Sequence, residues 1–315
     1  MPFEIHPDLA PMFAAMAGDT PPPPVGRGDV STLRALGEGG LAMVRENQPE
    51  YPEVNRRKVV IRSFDGAEIA GRWYSAADDS APGSAVVYLH GGGMVLGSVE
   101  LFDRTVAGYV ADSGVPMLAV DYRTAPENPH PTPVEDSYAG LVWLREQAAV
   151  LGVDADRIGV MGDSGGGGLA AAVAILARER GVTLARQILI YPMLDDRNTV
   201  PDPHLVPFAG WTYDSNYTGW HALLGDSIGS RDVPSSAAPA RETHFAGLAD
   251  AYIEVGELDI FRDEDVEYAR GLSRAGVSTE LHVIPGCPHG FDVLTASTPV
   301  VQRSRADRVR VLRSL

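Results

Sequence analysis

Compact apolar runs alternate with longer mixed ones along most of the chain. Residues 85–89, 115–120, 158–162, 187–191, 251–255 and 280–284 are short and rich in Val, Ile, Leu and Met, the pattern of strands buried in a sheet. Between them, residues 106–111, 134–151, the Ala/Leu-rich stretch after Ser164, residues around 266–272 and the C-terminal end read as helices; Pro133 suits a first helical turn. Strands separated by helices predict an α/β fold, a mostly parallel central sheet covered by helices on both faces. Before the first of these units, residues 59–61 and 67–74 flank Asp65-Gly66, a hairpin signal for two antiparallel strands.

Two stretches break the alternation. Residues 1–55 mix apolar positions such as Met12, Phe13, Leu33, Leu36, Leu41 and Met43 with the run Pro21-Pro22-Pro23-Pro24. Two helical pieces joined by an extended proline linker are expected there. Residues 195–246 carry Trp211, Tyr213, Tyr217 and Trp220 among scattered Pro and Gly, between two core strands. The resulting division is an N-terminal cap arm (1–55), a first core part (56–194), a cap insertion (195–246) and a second core part (247–315). Ligand sites of α/β sheets lie at the strand ends that such segments would cover.

Composition narrows the chemistry. The chain has 315 residues and a formal net charge of −16, which repels nucleic acid and anionic membranes. Lys58 is its one lysine, and no phosphate-gripping P-loop occurs. The late arginines Arg303, Arg305, Arg308, Arg310 and Arg313 read as the wet face of a last helix that packs through Val301, Val309 and Leu312. A single cysteine, Cys287, excludes an internal disulfide framework and a multi-cysteine zinc site, and no His/Asp/Glu spacing suggests another metal. No apolar run approaches the roughly 20 residues of a membrane helix. A cytoplasmic protein without cofactor, metal, nucleic-acid or membrane partner is expected.

The segment Gly162-Asp163-Ser164-Gly165-Gly166 follows one predicted strand and opens a helix. In a G-x-S-x-G turn the serine hydroxyl stands clear at the sheet end, and the flanking glycines let strand and helix pass closely. A loose dinucleotide fingerprint, Gly166-x-Gly168-x-x-Ala171, overlaps it but falls inside the helix; a plain glycine-rich turn is the other alternative. His90-Gly91-Gly92-Gly93 directly follows the strand at 85–89. Bare amides at Gly92 and Gly93, with that of Gly165, would suit an oxyanion hole. Among eight histidines, His289 sits on a loop past the last strand, whereas His282 lies within it and His90 starts the glycine loop. Asp259 follows the strand at 251–255 at the place for a carboxylate that must reach His289, with Glu257 as local alternative; Asp263 and Glu264 suit the first turn of the next helix. Ser164, Asp259 and His289 thus follow three separate strands, in the chain order of an α/β-hydrolase triad. Cys287, two residues from His289, is a packed thiol on this reading.

On these motifs, together with Asp121-Tyr122-Arg123-Thr124-Ala125-Pro126-Glu127, residues 259–264 and His289-Gly290-Phe291, the sequence from about Val59 to Phe291 resembles the hormone-sensitive-lipase-like esterases (family IV) of the α/β-hydrolase superfamily. The resemblance implies an α/β-hydrolase fold with a helical cap. It also implies Ser164 as nucleophile, His289 as base and Asp259 as its orienter, with Gly92, Gly93 and Gly165 supplying oxyanion amides and residues 121–127 bracing the glycine loop. The implied activity is hydrolysis of short- to medium-chain carboxylic esters through an acyl-enzyme. Its alternatives are a non-catalytic small-molecule-binding protein on the same fold, or an amidase or lactonase using the same triad. Because many members form dimers, a homodimer is among the expected assemblies. Met94 stands where the family often has an aromatic, Gly165 where Ala is usual and Ile260 where Pro is common. Met94, Phe208, Trp211 and Tyr213 are the candidate substrate-pocket walls.

Overall fold

A computed structural model describes residues 3–16, 25–76, 83–293 and 297–315. Eight strands form one sheet in the order β1-β2-β4-β3-β5-β6-β7-β8. The first two, β1 (Val54–Arg62) and β2 (Glu68–Ala76), are the antiparallel hairpin, closed over residues 63–67 with Gly66 at φ +84°. The signal at Asp65-Gly66 located the turn, but β1 starts earlier than its apolar run because Arg56, Arg57 and Lys58 lie on an edge strand. From β4 (Met117–Val120) through β3 (Ala85–Leu89), β5 (Ile158–Asp163), β6 (Gln187–Ile190), β7 (Ala251–Gly256) and β8 (Thr279–Ile284) every pairing is parallel.

Period-two alternation splits each central strand between two cores. Val87 and Leu89 of β3 join the first, with Leu118, Leu189 and Ile253; helices α4 (Thr132–Leu151), α5 (Gly165–Glu179) and α7 (Arg262–Arg274) cover it. Val86 and Tyr88 join the second, with Met117, Ile188 and Ile190, under α3 (Asp103–Ser113) and α8 (Pro299–Arg313). Burial on both faces is why these strands read as continuous apolar runs rather than alternating ones.

The N-terminal residues form α1 (Ala10–Met16) and α2 (Val30–Asn47); the proline linker expected between them lies outside the described residues. Asp29 caps α2 by accepting from the Thr32 amide at 3.0 Å. Residues 195–246 contain one α-helix, α6 (Tyr213–Leu224), capped by Thr212 on the Ser215 amide. Among the described residues, no helix is long and apolar enough to cross a membrane.

One expectation is corrected: Arg308 does not belong to the wet face of α8. It is 2% exposed, 2.5 Å from Glu254 of β7, and is also paired with Asp292 and bonded to the Tyr109 hydroxyl. The acids that draw it inward come from distant segments, so the arginine spacing alone could not reveal them. Removing one partner of such a buried cluster strands the others. Arg308→Met is therefore expected to lower unfolding stability by about 3–5 kcal/mol, read as a fall in the urea midpoint at unchanged m-value; an unshifted midpoint would show the cluster contributes nothing.

Candidate active site

Ser164 is the hinge between β5 and α5, at φ 56° and ψ −120°. A non-glycine residue there is strained by on the order of 1–3 kcal/mol and persists only where its surroundings fix it. Its amide donates to the Ile190 carbonyl at 2.8 Å, and its carbonyl accepts from Gly168 and Met193 at 2.9 and 3.0 Å. A side chain on Gly162 would run into the Gly166 carbonyl, and one on Gly166 into the carbonyls of Leu89 and His90. The turn therefore closes with no room for a Cβ at either flank.

Three of the sequence candidates meet at this turn. His289 Nε2 lies 2.9 Å from Ser164 Oγ, and its Nδ1 lies 2.7 Å from Asp259 Oδ2. Asp259 is wholly buried just past β7, and its Oδ1 accepts from the Phe261 amide at 2.9 Å, which fixes the carboxylate plane. With Nδ1–H donated to the carboxylate, Nε2 keeps a lone pair for the serine proton. The imidazole is held edge-on by Tyr191 and Phe261, with ring centroids 4.8 and 5.0 Å away. Glu257, the alternative acid, instead accepts from the Gly286 amide at 2.9 Å, and Glu264 holds the amides of Leu194 and Asp195. Burial pushes the Cys287 thiol up to about 12, as suits a packed, unreactive sulfur.

The glycine loop lies against the first turn of α5. An ideal Cβ on Gly165 would sit 2.7 Å from the Gly93 nitrogen and 2.8 Å from that of Met94, so the glycine at this position has a steric cause. Several elements clasp the loop. His90 is buried, stacked on Tyr122 at 4.2 Å, and its carbonyl accepts from the Tyr122 hydroxyl at 2.7 Å. Burial lowers the pKa of its imidazole, which suits bracing rather than proton transfer. Asp121 accepts from the Val99 amide at 2.8 Å, and the Ala125 amide donates to the Met94 carbonyl. From α2, Arg34 donates to the Val95 and Ala125 carbonyls and pairs with both oxygens of Glu127 at 2.8 Å. Neither Arg34 nor its pairing was evident in the sequence, since its partners lie 61 to 93 residues downstream.

A cavity of about 320 Å³ opens over Ser164 and His289, lined by Gly91, Gly92, Leu96 and Trp211 and roofed by Leu36, Gly37, Gly40, Leu41 and Val44 of α2. Of the four expected walls only Trp211 is among its lining residues. Met94 is 1% exposed in the core; Tyr213 faces a separate surface groove with Asp195 and Glu264; Phe208 lines neither. The α2 wall was missed, although its apolar and glycine positions at 36, 37, 40, 41 and 44 recur at helical spacing.

Asp163, beside the serine, is 6% exposed; burial pushes its carboxyl up to about 7, opposed by the Tyr88 hydroxyl bonded to it and by nearby Arg308. Among the described residues, Glu280, His282 and Asp307 form the one cluster with metal-ligand proximity, and Arg310 already pairs with Glu280 and Asp307 there.

Comparison with known proteins agrees with this architecture. Residues 86–293 match the family model described as alpha/beta hydrolase fold. The chain is 32% identical over 293 residues to the esterase LipI of Mycobacterium tuberculosis, covering 87% of this chain and 90% of that protein. It is 36% identical over 231 residues to an ethyl acetate hydrolase of Pseudomonas putida, covering 72% of each. Among solved structures, a bacterial heroin esterase superposes with a TM-score of 0.88 at 33% identity, over 98% of this chain and 97% of that one.

Two outcomes test the local physics. Gly165→Ala forces the glycine loop to shift, so kcat should fall by roughly 10–100-fold with KM little changed, the signature of a displaced oxyanion donor; unchanged kcat would show the loop yields freely. Between its ordinary 3.8 and about 7, Asp163 keeps a proton when folded that it releases on unfolding, so its contribution to stability falls as pH rises through that window. Urea midpoints should therefore show Asp163→Asn gaining on the wild type from pH 4 to pH 8; a constant difference would mean that Asp163 is ionised throughout.

Proposed function

The chain belongs to the α/β-hydrolase fold family, among its hormone-sensitive-lipase-like carboxylesterases, and from that membership we propose that it cleaves short- to medium-chain esters through Ser164, His289 and Asp259. The observation that carries the reading is the unbroken relay of 2.7 and 2.9 Å contacts from Asp259 through His289 to Ser164. As Ser164 Oγ bonds to the ester carbonyl carbon, its proton passes to His289 Nε2. Asp259, already accepting from Nδ1, stabilises the imidazolium. The carbonyl oxygen becomes an oxyanion held by the amides of Gly92, Gly93 and Gly165. On collapse the alcohol leaves with the proton from Nε2. Water then attacks the acyl carbon, giving a proton to His289; on collapse the bond to Ser164 Oγ breaks, Nε2 returns that proton to Oγ, and the acid departs.

Chain-length preference follows from space. A cavity of about 320 Å³ with a largely apolar roof suits a small ester and lies at the lower end of ligand pockets, roughly 300–1,000 Å³. The Pseudomonas putida relative is by name a hydrolase of ethyl acetate, a substrate of that size. On the same reading, residues 1–55 and 195–246 act as the cap over the site.

Ser164→Ala is expected to lower kcat for a chromogenic butyrate ester by about 10⁶-fold, and an organophosphate should label the wild type at Ser164 alone. Turnover near the wild-type rate in Ser164→Ala would refute the assignment. Across a series of acyl chains, kcat/KM should decline beyond about eight carbons; a rising profile would contradict the size argument.

A further inference from the structure

His289 stands on a loop with little of its own to hold it. Between β8 and His289 run Pro285, Gly286, Cys287 and Pro288, and the two prolines bring no amide donor. Cys287 donates back to the Ile284 carbonyl at 3.3 Å. The loop's other backbone bonds come from remote segments. Leu258 donates to the Cys287 carbonyl at 2.9 Å, so the turn that carries Asp259 after β7 is stitched to the turn that carries His289 after β8.

Gly286 is gripped on both sides. Its amide donates to Glu257 Oε2 at 2.9 Å, and its carbonyl accepts from the His6 amide at 2.8 Å. At φ +67°, with an added Cβ 2.6 Å from the His6 nitrogen and 2.9 Å from the Glu4 carbonyl oxygen, the position admits no side chain. The segment pressing here begins the N-terminal arm. Leu9 anchors it in the core that holds Cys287 and Phe291, and Asp8 accepts from the Val300 amide at 3.0 Å. The Phe3 ring lies 5.6 Å from the guanidinium of Arg262, which itself donates to the Glu257 carbonyl at 3.0 Å. Among the described residues, none of 3–16 lines the cavity over Ser164. The roof is α2, and the start of the arm is spent on Gly286.

We propose that Glu257, with the backbone at Glu4 and His6, is a positioning clamp for the base: it fixes Gly286 and so sets the reach of His289 to Asp259 and Ser164. This rests on His289 being the base. The relay spans 2.7 Å at Nδ1 and 2.9 Å at Nε2, and a small drift of the loop lengthens one contact or the other. Tyr191 and Phe261 orient the ring edge-on; they do not hold the backbone that carries it. Glu257 suits the task by its charge, since a carboxylate accepts from an amide about twice as strongly as a neutral oxygen does.

The test follows kcat/KM for a chromogenic butyrate ester against pH, whose acidic limb reports the free base. Facing the imidazole are Asp259 at Nδ1, Ser164 at Nε2 and the two rings; Asp292, bonded to the Tyr191 hydroxyl, and Asp163, next to the serine, stay in place throughout. In Glu257→Leu, kcat should fall by about tenfold or more with KM little changed. The acidic limb should move to lower pH by about half a pH unit or more, because a looser contact with Asp259 favours the imidazolium less. A merely structural role would reduce the amount of active enzyme and leave the limb in place. Glu257→Gln loses the charge but keeps an acceptor oxygen, so it should restore most of the rate and of the limb's position. A shift as large as that of Glu257→Leu would assign the effect to charge alone and overturn the clamp. His6→Pro removes the donor of the second grip and should move the limb the same way, whereas loss of a cationic imidazole alone would move it oppositely. Should Glu257→Leu not fold, His6→Pro carries the test. A limb unmoved in every folded variant overturns the clamp, whatever happens to the rate. Turnover near the wild-type rate in His289→Asn would instead bring down the assignment of the base.

Discussion

The site depends on how closely the glycine loop approaches the first turn of α5. At Gly165 the gap is too small for a methyl group, with the Gly93 and Met94 nitrogens within 2.8 Å of where a Cβ would stand. Amides used to bind a developing oxyanion are effective only if they are oriented beforehand, since turning them during the reaction would cost what they are meant to supply. Here the orientation is imposed by contact rather than by the loop itself, which is glycine-rich and would otherwise wander. Trp211 packs on Gly93, where an added Cβ would run into its ring, and Leu96 fills the space beside Gly37 of α2. Trp211 and α2 therefore pack against the glycine loop and its flank as well as lining the cavity.

Charge is organised to the same end. The chain carries −16 overall, yet several of its acids are buried in pairs with arginine: Asp136 with Arg123, Asp196 with Arg241, Glu254 with Arg308. The pairs span 13, 45 and 54 residues of chain, and all three use both a guanidinium Nε and an Nη on the carboxylate. Lysine, a point charge on a flexible stem, cannot offer that fork, and the one lysine, Lys58, takes no part in these buried pairs.

The strands were legible because burial on both faces leaves an unmixed apolar signature, and the elbow because its serine and flanking glycines fall together between an apolar run and an Ala/Leu-rich one. Ser164, Asp259 and His289 were legible as candidates because each follows its own strand. What stayed hidden depended on contacts between remote segments. Arg308 looked like a solvent-facing arginine until Glu254 and Asp292 closed on it. Met94, Phe208 and Tyr213 were chosen as pocket walls by type and neighbourhood, but which side of the cap faces inward is decided by how it lands on the body. The stripe on α2 at positions 36–44 was the readable signal, but an apolar stripe on a helix ahead of the core reads equally as packing.

Arg34 joins two roles that are usually separable. One side chain on the roof helix holds the carbonyl of Val95, immediately beyond the glycine loop, and the carbonyl and carboxylate of the segment that braces it. Any tilt of α2 wide enough to admit a bulky molecule must pull on these bonds and so slacken the amides beneath. Cover and brace are thereby one mechanical unit: the guanidinium that seats the roof helix also keeps the neighbouring turn taut, so neither can loosen alone.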